Sequence, residues 1–210
     1  MKYEFWFVVG SQFLYGPEVL ETVAARAAEM AAELSRALPF PLVCKVTAKT
    51  AKEISDVVKE ANYDDACAGV VTWCHTFSPS KMWINGLDAL QKPWCHFATQ
   101  YNREIPNEEI DMDFMNLNQA AHGDREHGFI GARLRKPRKV IAGYWKDAPV
   151  QKRLGDWMRA AVGAAVSRSC ALATICGRWP SPRATRWRRP PSTCWPGGRG
   201  TAGRSGLSFP

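Results

Sequence analysis

From Ser167 to Pro210 the chain contains no aspartate, no glutamate and no lysine; eight arginines carry all of the charge there. The whole protein has 28 Lys+Arg against 20 Asp+Glu, so setting those eight aside leaves 20 against 20, and the first 166 residues are neutral overall. The +8 excess is therefore a property of the tail and says nothing about the partners of the part that folds. Also missing is any apolar run approaching the roughly 18 residues of a membrane span, and the N-terminus has no basic segment leading into a signal-type apolar core. The seven cysteines are odd in number and include no Cys-x-x-Cys pair, which points to a reduced, cytoplasmic protein rather than a disulfide scaffold. A Gly-Lys-Ser/Thr phosphate loop and internal repeats are absent too.

The most informative stretch is the first twenty residues. Tyr3-Glu4-Phe5-Trp6-Phe7-Val8-Val9 is aromatic and β-branched and predicts a buried strand. A turn bounded by Gly10 and Gly16 follows, and Pro17-Glu18 opens a helix with proline in the first turn, where its missing N–H costs nothing. In an open parallel sheet ligands sit beyond the carboxyl ends of the strands, which places Ser11 and Gln12 where a small polar ligand docks. Gln12, Phe13, Leu14 and Tyr15 are too bulky for a dinucleotide loop, whose backbone must approach a pyrophosphate. Amide and hydroxyl groups beside aromatics suit a sugar better. The competing structural account makes Gln12 a helix cap and Leu14 part of the core.

Downstream, strand and helix patterns alternate. Helices are predicted over 17–38, 51–61, 80–90, 112–121, 128–135 and 149–166, and strands over 42–46, 68–73, 93–98 and 139–144. Such alternation with short links predicts βαβ crossovers: an α/β, doubly wound, Rossmann-like parallel sheet of about five strands with helices on both faces. The domain boundary falls at about residue 166. Residues 167–210 are rich in Arg, Pro and Trp without apolar periodicity and read as a disordered tail; a nucleic-acid-binding arm is the functional alternative.

His75 and His96 each follow a cysteine, Cys74 and Cys95, which invites a metal reading. Neighbours in a strand face opposite ways, so one of each pair points away, and buried thiols beside a hydrogen-bonded histidine explain the pattern. Glu108, Glu109, Asp111 and Asp113 precede a predicted helix and suit its N-terminal dipole without catalysis. His122, taken alone, reads as a surface histidine at a helix C-terminus.

Several strings resemble L-arabinose isomerase: Trp6 through Glu18, Ala61-Asn62-Tyr63-Asp64-Asp65, His75 through Leu87, Ile110 through Gln119, Ala121-His122-Gly123, and Phe129-Ile130-Gly131-Ala132-Arg133. The likeness runs from about Tyr3 to Met158. It implies an aldose–ketose isomerisation of L-arabinose and L-ribulose by proton transfer through an enediol, with paired glutamates as acid and base and manganese polarising the oxygens. The resemblance also implies a homohexamer whose pockets form between protomers, with no nucleic acid or membrane as partner. In it Gln12 and Leu14 line the sugar pocket, Phe77 adds an apolar wall, and His122 reaches into a neighbour's site. The metal ligands of that family, two glutamates and two histidines, lie beyond the matched stretch, so this chain is expected to carry none and to be inactive alone. A stand-alone sugar- or nucleotide-binding module is the other reading of the α/β part.

The tail has a third explanation. Plausible codons for residues 172–188, read one base earlier, spell Phe-Gly-Asp-Asn-Met-Arg-Glu-Val-Ala-Val-Thr-Glu-Gly-Asp-Lys-Val-Glu, which resembles that family's continuation. A frameshift near Ser169–Ala171 accounts at once for the arginines, the lost acids and the missing periodicity.

Overall fold

The computed structural model describes residues 3–105 and 110–177, with side chains placed as far as Val166. Its centre is β1, Glu4–Gly10, buried from Phe5 onward. Side chains alternate across a strand, and β1 uses both directions. Phe5, Phe7 and Val9 pack with Val23, Met30 and Leu34 of α1 (Gly16–Ala37) and with Leu154 and Met158 of α6 (Ala148–Gly177). Trp6 and Val8 point the other way, against Ile54, Val57 and Val58 of α2 (Ala51–Tyr63) and Leu87 of α3 (Ile84–Ala89). Two apolar layers thus sandwich one sheet, and each fully buried large side chain contributes about 1.5–3 kcal/mol of burial.

All five strands are parallel, in the order β2-β1-β3-β4-β5. They are β1, β2 (Leu42–Ala48), β3 (Cys67–Cys74), β4 (Trp94–Ala98) and β5 (Lys139–Ala142). Because β1 lies between β2 and β3, the chain leaves it first to one side and later returns on the other. That reversal opens the crevice in which such sheets bind ligands.

Local chemistry fixes the boundaries. Thr50 accepts from the Glu53 amide at 3.2 Å while Glu53 Oε2 accepts from the Thr50 amide at 3.1 Å, a reciprocal cap that starts α2. Gly143, at φ 134°, ends β5 at Ala142, two residues before the expected end at Tyr144. The helices after β4 depart further from expectation. α4 is short, Met112–Leu117, because the Asn118 side chain donates back to the Phe114 carbonyl at 2.9 Å. α5 then runs unbroken over Ala120–Arg133, where a helix over 112–121 and another over 128–135 were expected. α6 continues to Gly177, past the expected end at Val166, through a stretch of the sequence that has no proline before Pro180. The expected tail from 178 onward lies outside the described residues.

Candidate functional site

The carboxyl ends of β1 and β3 lie side by side, with Gly10 paired to Cys74. Gly10 is glycine for a spatial reason: a Cβ there would lie 2.7 Å from the Ser78 Cβ and 2.8 Å from the Trp83 ring. Ser11 follows, fully buried, its hydroxyl 2.8 Å from that of Thr76. Trp83 Nε1 donates to Ser78 Oγ at 3.0 Å. The floor of the crevice is therefore filled by the protein's own hydroxyls. Ser11, expected at the ligand, is fully buried and ties the segment after β1 to that after β3 through its hydroxyl.

The rim is where exposed groups begin. Phe13–Tyr15 form a 3-10 turn between β1 and α1, and the Gln12 side chain caps nothing. Leu14 is 82% exposed, so neither half of the structural account of this turn holds: Gln12 is no cap and Leu14 is not core. Across the crevice, Phe77 on the loop after β3 meets the His122 ring edge-on at 4.7 Å. His122 stands in the first turn of α5, not at a helix C-terminus, because the chain breaks at Asn118 rather than after Ala121. It is exposed. Tyr15 OH reaches Gln119 Oε1 at 3.4 Å, linking the turn after β1 to the start of α5. Gly123 in that first turn lies against β3, and a Cβ on it would meet the Cys74 Cβ at 3.6 Å, an ordinary contact. Phe77 and His122 are thus in direct contact, while Gln12 and Leu14 lie in the turn after the neighbouring strand β1.

The two Cys–His pairs behave as alternating strand residues. Cys95 packs with the α1 and α6 side, while His96 faces α5 and bonds Asp124 at 2.8 Å. Burial pushes the Cys74 thiol far up and the Cys95 thiol up to about 12, so neither is a thiolate. His75 is buried against Trp73 at 4.9 Å, and Arg26 donates to its Nε2 at 3.0 Å. Burial, then the adjacent Arg26 cation, lower the His75 pKa to about 3. The Arg26 guanidinium in turn lies 4.4 Å over Tyr101, whose hydroxyl donates to Glu29 at 2.7 Å. Sequence reasoning missed Arg26 and Tyr101 altogether; nothing in a helix-face arginine signals that it will reach a strand-end histidine 49 residues on.

Among the described residues no three His, Cys, Asp or Glu side chains are grouped to hold a metal ion. Asp111 caps α4, accepting from the Phe114 amide at 2.7 Å; Glu108 and Glu109 lie outside the described residues. No helix among the described residues is long and apolar enough to cross a membrane.

The family model for the L-arabinose isomerase N-terminal domain matches residues 1–169. The chain belongs to the L-arabinose isomerase family. It is 55% identical over 174 residues to L-arabinose isomerase 2 of Clostridium acetobutylicum, covering 82% of this chain and 36% of that protein. It is 57% identical over 173 residues to L-arabinose isomerase of Geobacillus thermodenitrificans, covering 81% and 35%. The Shouchella clausii L-arabinose isomerase is 57% identical over 158 residues, 75% and 32%. The chain thus spans about a third of the length of these L-arabinose isomerases, and the matched third is their N-terminal domain.

Proposed function

We propose that this chain is the N-terminal wall of an L-arabinose isomerase pocket and does not isomerise sugar alone. The observation that carries the reading is the Phe77–His122 edge contact, with Gln12 and Leu14 in the turn after the neighbouring strand β1. A half-buried aromatic ring, an imidazole and a neutral amide suit the alternating C–H and O–H surfaces of a pentose. Isomerisation needs a carboxylate pair to move the proton and a cation to polarise the oxygens. The described residues do not fit manganese, since they group no three donors, and the sequence offers no Asp, Glu or His after residue 166. We therefore assign the proton transfer and the cation to the remainder of the full-length enzyme, in which the pocket forms between protomers of a cytoplasmic homohexamer.

Two experiments test this. Purified chain given manganese and L-arabinose forms no L-ribulose above buffer. Grafting residues 1–166 onto the remainder of a full-length relative restores turnover, and Phe77→Ala or His122→Ala in that chimera lowers kcat/KM by about ten-fold, the effect of losing one well-placed contact. Unchanged kinetics in both variants overturn the assignment.

The tail belongs to the same proposal. The family-model match ends at residue 169, beside the Ser169–Ala171 stretch where the frameshift is expected. We infer that the basic segment is a shifted reading of the family's continuation and binds no nucleic acid. Resequencing codons 165–175 decides it: an uninterrupted frame in independent reads refutes the shift.

A further inference from the structure

One buried polar cluster takes no part in the rim. Thr72 on β3, His96 on β4, and Asp124 and His127 on α5 form a continuous chain between the sheet and the helix. His96 Nε2 lies 2.8 Å from Asp124 Oδ1, and His96 Nδ1 lies 3.0 Å from Thr72 Oγ1. Thr72 Oγ1 also lies 3.4 Å from His127 Nε2 and accepts from Trp94 Nε1 at 3.0 Å. The two imidazole centroids are 4.4 Å apart. Thr72, His96 and His127 are all buried, and His127 Nδ1 has no partner.

The inventory of donors fixes the roles. A carboxylate only accepts, so His96 Nε2 carries the hydrogen toward Asp124. With both rings neutral, His96 Nδ1 accepts from the Thr72 hydroxyl. Thr72 Oγ1 then accepts from Trp94 and from His127 Nε2–H, filling both its lone pairs. The unmet atom is a bare nitrogen lone pair on His127.

A proton on His127 goes to Nδ1, which has no acceptor, and puts a cation in a fully buried site. Burial holds its pKa well below the ordinary histidine value, aided by His96 and by the Arg138 cation. The other charged groups around the cluster are few. Arg138 is held by the Gly128 carbonyl at 2.9 Å, and the Glu126 carboxylate accepts from the Ser80 amide at 3.3 Å. The Cys74 thiol near Asp124 stays neutral.

We propose that Thr72, His96, Asp124 and His127 are an acid-sensitive latch that holds α5 on the sheet while the His127 imidazole is neutral and lets it go when that ring gains a proton. The latch stands on its own geometry. Its consequence for sugar rests on the pocket reading above: His122 is two residues from Asp124, so freeing α5 withdraws the ring that faces Phe77.

Hydrogen exchange on the intact chain tests the latch without any sugar, so its failure and that of the pocket reading are separable. With exchange corrected for the intrinsic pH dependence, moving from about pH 7 to about pH 5 lowers protection across residues 120–133 by about ten-fold more than it lowers that of β1 and β3. Asp124→Ala produces the same local loss already at neutral pH, and His127→Gln weakens the response to acid. Protection of α5 that does not change, or that falls only in step with β1 and β3, overturns the proposal even if the variants fail to fold.

Discussion

His75 makes the protein measurably less stable in mild acid, and the size of the effect follows from its surroundings. The ring is fully buried, stacked on Trp73, and faced by a cation 3.0 Å from Nε2. Its folded pKa is about 3, whereas in the unfolded chain it returns to about 6.5. Between those values the unfolded chain binds the extra proton, so stability rises with pH across the window and is lost as pH falls from about 6.5 toward about 3. Going from pH 7 to pH 5, the linkage for this one group amounts to about 2 kcal/mol. Urea denaturation at both pH values, on the native chain and on His75→Gln, isolates it. The glutamine variant cannot take up the proton and loses about 2 kcal/mol less than the native chain on acidification. Equal losses in the two proteins, at equal urea slopes, would refute the argument. His127 is neutral for the same reason on the opposite face of the sheet, so the native chain's total loss exceeds the part removed with His75.

Other perturbations have equally definite outcomes. Gly10→Ala forces a methyl to 2.7 Å from Ser78 and costs about 1–3 kcal/mol of overpacking, seen as a lower urea midpoint. Leu34→Ala empties a fully buried site between α1 and the sheet and costs about 2–5 kcal/mol in the same assay. Thr50→Ala removes one half of the reciprocal cap on α2 and costs about 1 kcal/mol.

The sheet was legible because β1 and β3 are short apolar runs with a turn signal at the end, and α1 and α2 carry unbroken helical spacing between them. β4 was legible as well, although its polar residues, His96 above all, look out of place in a buried strand. What escaped sequence reasoning was interaction at a distance. The split between α4 and α5 depends on one amide, Asn118, folding back onto its own turn, and no periodicity announces that. Ser11 looked like a ligand group because it follows a strand; its partner Thr76 is 65 residues away. Gln12 came from its place after a strand as well as from family likeness, Leu14, Phe77 and His122 from family likeness alone; the fold brings Phe77 against His122 because α5 begins beside the loop after β3. Arg26 beneath His75 had no signal at all.

The strand order has a consequence for how the chain tolerates loss. β1 is the first strand synthesised, yet it is flanked on both sides by strands that follow it. β5, near the other end of the described chain, is an outer strand bonded to β4 alone. Trimming from the C-terminal side reaches that margin only after it has stripped α6, whose Leu154 and Met158 cover β1. Removing the first ten residues instead leaves β2 and β3 facing an empty slot, an abrupt failure. Cuts from either side thus reach the central strand, directly at the N-terminus and through its covering helix at the other side.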